Sequence, residues 1–280
     1  MVERTNDRGA GCFAEKCCPE RNASLSVIRP RCYHDGGWAA APCPRQERTP
    51  VRSALIVVGA AILAVCVPVL AFAGNALALV FDPSFYSRGQ IEQRVEQAYG
   101  LPQSLLAPAN QAIVEYFASK SGALADYFQA HGVPRDFFGE RETVHMEDVR
   151  TVVHIVEDVR NVALGSALFV IGLMTLFLRR AAVAAIGRGL AAGAVLSLVL
   201  ALGVGVATLI DFGTVFLIFH LLSFRNDFWI LDPRTDHLIQ MFPFGFWYNA
   251  MVRIVGFSLA TVIACGAVGV AMARLGRRWV

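Results

Sequence analysis

Two histidines are the side chains of this 280-residue chain best suited to proton transfer. His145 lies in the charged stretch Arg141–Arg150, and His220 lies in the mostly apolar stretch Phe219–Trp229. Imidazole has a pKa of about 6.5, so it can accept or donate a proton near neutral pH. Both histidines lie just outside apolar runs long enough to cross a bilayer, and on the same side of it. The sequence therefore predicts acid–base chemistry at a water–lipid boundary.

The composition is that of a membrane protein. Hydrophobic residues make up 55% of the chain and charged residues only 17%, whereas about a quarter of a soluble domain is charged. Four apolar runs account for the excess: Ala54–Val80, Val162–Leu178, Leu190–Ile210 and Ile254–Ala273. Each is long enough for a spanning helix, which needs about 20 residues. Residues 51–280 are therefore predicted to form an all-α integral membrane domain with four transmembrane helices.

The distribution of arginines predicts the orientation of these spans. Arginines precede the first run, fill the link between the second and third, and follow the fourth: Arg45, Arg48, Arg52, Arg179, Arg180, Arg188, Arg274, Arg277 and Arg278. Basic residues gather on the cytoplasmic side, so both termini are predicted to be cytoplasmic. Residues 81–161 and 211–253 then lie outside. No basic patch indicates a nucleic acid partner.

Residues 1–50 are rich in Arg, Cys, Pro and Gly and lack helical periodicity, which predicts a disordered cytoplasmic tail. Five of the seven cysteines lie there, and cytoplasmic thiols stay reduced. A zinc site built from them and His34 is an alternative, although their spacing matches no familiar zinc pattern. Cys66 and Cys265 lie within the spans and are expected to pack as small apolar residues.

The first outer segment is predicted to be helical. Helical periodicity covers Gln90–Ala98 and Pro108–Ser119, with turns expected at Tyr99–Pro102 and Gly132–Pro134. A further helix is expected to begin near Arg141 and to continue into the second span.

Helix geometry separates the histidines of that last helix. Asp148 follows His145 by three residues and should neighbour it on the helix surface, where a carboxylate can hold the imidazole in one tautomer. His154 should lie about 180° around the helix from His145. The two histidines therefore cannot serve one small site from an unbroken helix.

The second outer segment combines aromatic and polar residues. Phe212–Phe219 is apolar but follows a complete span and Asp211, so it is expected to lie along the interface or to fold back. Eight aromatics follow: Phe224, Phe228, Trp229, Phe242, Phe244, Phe246, Trp247 and Tyr248. They form either an aromatic belt at headgroup level or the wall of a lipid-facing pocket. The interleaved polar residues favour the pocket, because buried polar groups need partners: Asn226, Asp227, Asp232, Arg234 and Asp236.

Two motifs resemble the signatures of a four-span bacterial membrane family, the lipoprotein intramolecular transacylase-like proteins. The first motif is Arg141-Glu142-x-x-His145-Met146-x-Asp148-Val149-Arg150. The second is His220-x-x-x-Phe224-x-Asn226-x-x-Trp229, followed by Asp232-Pro233-x-x-Asp236-x-Leu238-Ile239-x-Met241-Phe242-Pro243. The resemblance covers roughly residues 54–273 and leaves out the tail.

The resemblance implies an enzyme of the bacterial cytoplasmic membrane whose active site lies on the extracytoplasmic face, among membrane lipids. Such an enzyme moves the sn-2 acyl chain of a diacylglyceryl lipoprotein to the amino group of the same N-terminal cysteine, giving a lyso-form lipoprotein. The essential histidines of the family correspond to His145 and His220. No cofactor and no metal are expected.

The residues suit such an O-to-N acyl transfer. The attacking α-amine has a pKa of about 7.7–8.0, and a histidine can accept the proton lost in the attack. We assign His145 as the base, since Asp148 can raise its basicity, and His220 as the acid or oxyanion stabiliser; the reverse assignment stays open. The candidate oxyanion donors are Arg150, Asn226 and Trp229, and the candidate orienting residues are Asp148 and Asp232.

Other functions remain open at this point. Ser223 lies three residues from His220, so an acyl-enzyme is conceivable. His145, Asp148 and His220 could instead bind zinc in a metal-dependent membrane hydrolase of lipid esters. A transporter or a non-catalytic envelope protein is the third class. The spans contain almost no ionisable residues, which disfavours transport.

Overall fold

The computed structural model describes residues 32–34, 37–39 and 50–277, which belong to two separate units, 1–50 and 51–280. In the first unit, β1 (Cys32–His34) and β2 (Gly37–Ala39) form an antiparallel hairpin with Tyr33 opposite Trp38. The sequence had not indicated this hairpin. The predictions of disorder and of a zinc site in the tail fall almost entirely outside the described residues.

All the regular secondary structure in the described part of the second unit is helical. Its helices are α1 (Pro50–Val80), α2 (Pro83–Glu92), α3 (Val95–Tyr99), α4 (Gln103–Ala118), α5 (Leu124–Ala130), α6 (Glu140–Leu178), α7 (Arg180–Ser223), α8 (His237–Met241) and α9 (Phe244–Arg277). Four of them, α1, α6, α7 and α9, are long and apolar enough to cross a membrane. The prediction of a four-span all-α membrane protein is confirmed.

The spanning part of α6 is shorter than the helix. The apolar run Val162–Leu178 forms only its second half. The first half carries exposed Glu147 and half-buried Arg150 and Glu157, which would be costly in lipid. This half therefore extends out of the bilayer, and His145 lies outside the spanning segment.

The spans pack closely where glycines remove side-chain bulk. A Cβ atom on Gly187 of α7 would lie 2.5 Å from the backbone nitrogen of Ala273 in α9, and one on Gly276 would lie 2.5 Å from the nitrogen of Ala184. Such close approach of backbones is typical of membrane helices, whose association depends on packing. This close packing fixes α9 against α7, and with α9 the aromatic segment that precedes it.

The first outer segment folds into four helices over an apolar core that includes Tyr116 and Phe128 and that it shares with α6, α8 and α9. The expected turns are present, with positive φ at Gly100 and Gly132. The single helix predicted over Gln90–Ala98 is wrong. It is interrupted between α2 and α3 by Arg94, whose φ is 53°.

Helix α7 is broken at Asp211, where φ is −154° and ψ is 88°. The Asp211 carboxylate accepts hydrogen bonds from the backbone N–H and the hydroxyl of Thr214, at 3.0 and 2.5 Å. Asp211 thus acts as an N-cap for the section 212–223. The predicted break between the third span and this apolar section is confirmed, and the section carries His220 near its end.

Candidate active site

The start of α6 places His145. Gly139 is the N-cap, and the Glu142 carboxylate accepts the Gly139 N–H at 2.6 Å, as in a capping box. Acidic residues in the first turn, Glu140 and Glu142, also suit the positive end of the helix dipole. The helix therefore starts at a defined residue, and His145 projects from its second turn.

Glu142 also connects α6 to the segment after His220. Its second oxygen accepts the Leu238 N–H at 2.6 Å, and the residue is only 2% exposed. Burial raises the pKa of this carboxyl, while the two N–H donors oppose the rise. No role for Glu142 was predicted from the sequence. The spacing of Gly139 and Glu142 matches a capping box and could have indicated the contact with Gly139. Nothing in the sequence indicates the contact with Leu238.

Further contacts fix the loop of residues 224–236 to the same region. Arg141 donates to the Asp227 carbonyl at 2.5 Å, and its guanidinium lies 5.7 Å from the centre of the Phe228 ring. The His237 ring donates through Nδ1 to the Phe137 carbonyl at 2.7 Å. These bonds hold the loop, which begins four residues after His220, against the start of α6.

The two histidines meet in an aromatic recess. Their ring centroids are 6.1 Å apart, and each residue is 7% exposed. Phe224 meets His145 edge-on at 4.9 Å. His220 lies between Phe216 at 4.2 Å and Trp229 at 4.9 Å. The structure thus brings together the two residues selected from separate motifs, in surroundings with little water.

Hydrogen bonding distinguishes the two imidazoles. Nδ1 of His220 lies 2.8 Å from the Phe216 carbonyl, which can only accept, so this nitrogen carries the proton. In the neutral ring, Nε2 is then free to accept a proton. Nδ1 of His145 is buried without a hydrogen-bond partner among the described residues. Buried polar atoms are rarely unpaired, so this nitrogen would gain a partner if neighbouring side chains moved and a molecule entered.

Burial keeps both rings neutral near pH 7. It lowers the pKa of His145 to about 4, helped by the nearby His220 and opposed by Asp148. Burial also lowers the pKa of His220, while the Phe216 carbonyl opposes this effect. A neutral imidazole can act as a base, so the pair is in the protonation state that acyl transfer from an ester to an amine requires.

Asp148 and Asn226 lie beside this pair and bind each other. The Asn226 amide donates to the Asp148 carboxylate at 2.8 Å, and its oxygen accepts the Phe228 N–H at 3.1 Å. Asp148 was expected to hold His145 in one tautomer. Its hydrogen bond instead goes to Asn226, and its effect on His145 is through charge.

Two other candidates have different partners. The Arg150 guanidinium lies 4.2 Å from the centre of the Tyr116 ring and donates to the Gly122 carbonyl at 3.0 Å. Asp232 accepts four hydrogen bonds from Arg234, which lower its pKa to about 2. The described contacts connect neither residue with the histidine pair. Of the predicted supporting residues, the structure places Asp148, Asn226 and Trp229 at the site.

Within residues 50–277, the remaining histidines have structural partners. His154 lies 2.9 Å from the Phe117 carbonyl, as expected for the opposite face of α6. His131 contacts the Tyr127 carbonyl and Glu115. Over residues 50–277, no three His, Cys, Asp or Glu side chains are grouped as ligands for a metal.

Comparison with known proteins identifies the family and the fold. The family model for the lipoprotein intramolecular transacylase Lit matches residues 61–247. The solved structure of the membrane integral lipoprotein intramolecular transacylase Lit from Bacillus cereus is similar, with a TM-score of 0.69 at 19% identity over 81% of this chain and 99% of that one. A His-to-Arg variant of that protein gives a TM-score of 0.67 at 18% identity, covering 84% and 99% of the two chains. The comparison with curated proteins gave no match.

Proposed function

The chain belongs to the lipoprotein intramolecular transacylase family, and on that premise we propose the reaction that it catalyses. The sn-2 acyl chain of a diacylglyceryl lipoprotein moves to the α-amine of the N-terminal cysteine in the same molecule. The products are an amide on the cysteine and a free hydroxyl on the glyceryl group, which together define the lyso-form. No cofactor takes part in this proposal.

The observation that carries the proposal is the pair of buried, neutral imidazoles 6.1 Å apart. Transfer from an ester to an amine removes one proton from nitrogen and adds one to the departing alkoxide. Two adjacent bases can manage both proton movements without a net gain or loss. General acid–base groups of this kind typically contribute about 10²–10⁴-fold.

In the proposed sequence, the neutral amine attacks the ester carbonyl carbon and the new C–N bond forms. The nitrogen becomes much more acidic on attack, and His145 accepts its proton. The C–O bond to the glyceryl carbon then breaks, and the alkoxide is protonated by way of His220, whose Nε2 faces no described partner. The proton that His145 accepted thereby passes through His220 to the alkoxide, and both histidines return to neutrality.

Charge on the carbonyl oxygen needs a hydrogen-bond donor in the tetrahedral intermediate. Trp229 supplies a candidate, because its ring lies 4.9 Å from His220 and its indole N–H has no described partner. Asn226 supplies another, since only one of its two amide hydrogens is used by Asp148. Both belong to the loop that the start of α6 holds in place.

The lipid chains have an apolar path to this recess. Exposed apolar residues surround it on the section 212–223 and on the loop, including Phe219 at 49%, Leu222 at 83% and Phe228 at 38% exposure. Such a surface is stable next to lipid and costly in water. The arginine pattern supports a location on the extracytoplasmic face, with both termini in the cytoplasm.

Mass spectrometry of one reporter lipoprotein tests the function. In a bacterial host that lacks lyso-form lipoproteins, expression of the parent chain should convert the diacyl N-terminus into the lyso-form, with the acyl chain on nitrogen. Total acyl mass is unchanged by an intramolecular transfer, so fragmentation must locate the chain. Loss of one acyl chain to water would indicate a lipid-ester hydrolase instead.

A further inference from the structure

We infer that Asp148 forms a binding subsite for the α-ammonium group of the lipoprotein N-terminus. The inference deepens the proposed function and rests on it, because it assigns the residue that captures the attacking amine. Asp148 would act as a positioning residue, holding the nitrogen beside His145.

The position of Asp148 supports this role. It lies one helical turn after His145 on α6, is half-buried, and its charge acts on the His145 ring. One carboxylate oxygen accepts the Asn226 amide at 2.8 Å, and the other has no described hydrogen bond. The free oxygen of Asp148 is thus an acceptor one helical turn from His145, whose Nδ1 is fully buried and unpaired.

No described cation neutralises this carboxylate. The two arginines nearest along α6 are engaged elsewhere: Arg141 with the Asp227 carbonyl and the Phe228 ring, and Arg150 with the Tyr116 ring and the Gly122 carbonyl. A half-buried carboxylate whose only described partner is a neutral amide favours a cationic ligand, since charge-assisted hydrogen bonds are shorter and stronger than neutral ones.

The substrate presents a suitable cation. An α-amino group has a pKa of about 7.7–8.0, so most of it is protonated at pH 7. Its three N–H donors are enough to bond to the Asp148 carboxylate and to an unprotonated His145 Nδ1 together. When one proton is lost, the neutral amine still donates to Asp148 while its lone pair faces the ester. After transfer, the nitrogen is an uncharged amide, so Asp148 loses its charged partner and the product is held less tightly.

The substitution Asp148→Asn isolates the charge. An asparagine keeps an oxygen that can accept the Asn226 amide, so the local hydrogen bond is retained while the negative charge is removed. The matched control is Glu147→Gln, which removes a negative charge from the exposed face of the same turn. Any general effect of charge near the membrane should appear in both variants.

The experiment measures binding of two unreactive diacylated lipopeptides by the full chain in detergent or nanodiscs. Both carry an ether in place of the sn-2 ester; one has a free α-amine and the other an acetylated one. The parent and Glu147→Gln should bind the free amine about 10- to 100-fold more tightly, the range of a charge-assisted hydrogen bond. Asp148→Asn should bind the two peptides within about two-fold of each other, a difference too small for such a bond.

The outcomes separate this inference from the proposed function. A parent that converts the ester substrate but binds both ether peptides equally would overturn the ammonium subsite alone. Retention of the full preference in Asp148→Asn would also overturn it. A parent that prefers the free amine but makes no lyso-form would instead contradict the transacylase reaction. The preference of the parent chain for the free amine is measured first. The inference can therefore be refuted even if a variant does not fold.

Discussion

The imidazoles of His145 and His220 lie 6.1 Å apart although they come from different spanning helices. The relationship depends on Glu142, which accepts N–H groups from Gly139 and Leu238 and so joins the start of α6 to the segment that follows His220. A buried carboxylate one turn away from the first histidine therefore helps to hold the histidine pair together.

Replacement of either histidine should abolish most of the activity. We expect His145→Ala and His220→Ala to slow formation of the lyso-form by about 10²–10⁴-fold, because each removes a proton-transfer group. His145→Gln should be nearly as slow, since glutamine forms hydrogen bonds but cannot carry the proton. The measurement is N-terminal acylation of a reporter lipoprotein, with membrane levels of each variant checked by immunoblot.

The matched control is His154→Gln, which changes a histidine of the same helix on the opposite face. It should retain conversion within about two-fold. Parent-like rates in both His145→Ala and His220→Ala would exclude these residues as the catalytic pair.

The dependence of kcat/KM on pH should show one ionisation, that of the substrate amine, rather than two. The pKa of His145 is lowered to about 4, so the ring is neutral and able to act as a base at all pH values above that. The amine is protonated below about 8 and becomes reactive as pH rises. We expect log kcat/KM to rise with a slope of one from pH 5 to about 8 and then to level off.

A base with an ordinary pKa of about 6.5 would add a second ionisation. The slope would then approach two below that pH. Steady-state assays with a short diacylated lipopeptide in one detergent, from pH 5 to 9, distinguish the two profiles. A slope of two would show that one histidine of the pair titrates near its ordinary pKa in the working enzyme.

Loss of Glu142 should weaken both the fold and the site. Glu142→Ala leaves the N–H groups of Gly139 and Leu238 without their acceptor, which costs about 1–3 kcal/mol for each that stays buried. We expect a lower thermal midpoint in detergent together with reduced kcat. Glu140→Gln, which changes an exposed acidic residue of the same turn, is the control; it should leave kcat unchanged and lower the midpoint much less. An unchanged midpoint in Glu142→Ala would contradict this positioning role.

The sequence indicated the spans, the break at Asp211 and the two histidines because each has a local signal: an apolar run, a polar residue that ends it, and a titratable group in a charged or aromatic context. It failed where the signal is not local. Glu142 bonds to Leu238 across a long separation in the chain. Arg94 adopts a positive φ without the glycine that usually marks such a turn.

Arg150 also lies away from the position that its motif suggested. Five residues along a helix correspond to about 140° of rotation, so Arg150 should face away from His145 by the same reasoning that excluded His154. Its place in the motif suggested a role at the site. The structure shows instead that its guanidinium packs on the Tyr116 ring. This contact explains the place of Arg150 in the motif by its effect on stability rather than by a role in the chemistry.

Accessibility should establish the orientation of the spans. Single cysteines in place of Ala123 and Arg234, both exposed and both on the side of the histidines, should react with a membrane-impermeant maleimide in intact cells. The native cysteines are first replaced by alanine or serine. A cysteine in place of Arg277, at the end of α9, should react only after lysis. The four spans require Arg277 and the histidines to lie on opposite sides, so the two sets of sites must differ. Labelling of Arg277 in intact cells, with protection of Ala123 and Arg234, would invert the topology and place the histidine pair on the cytoplasmic face.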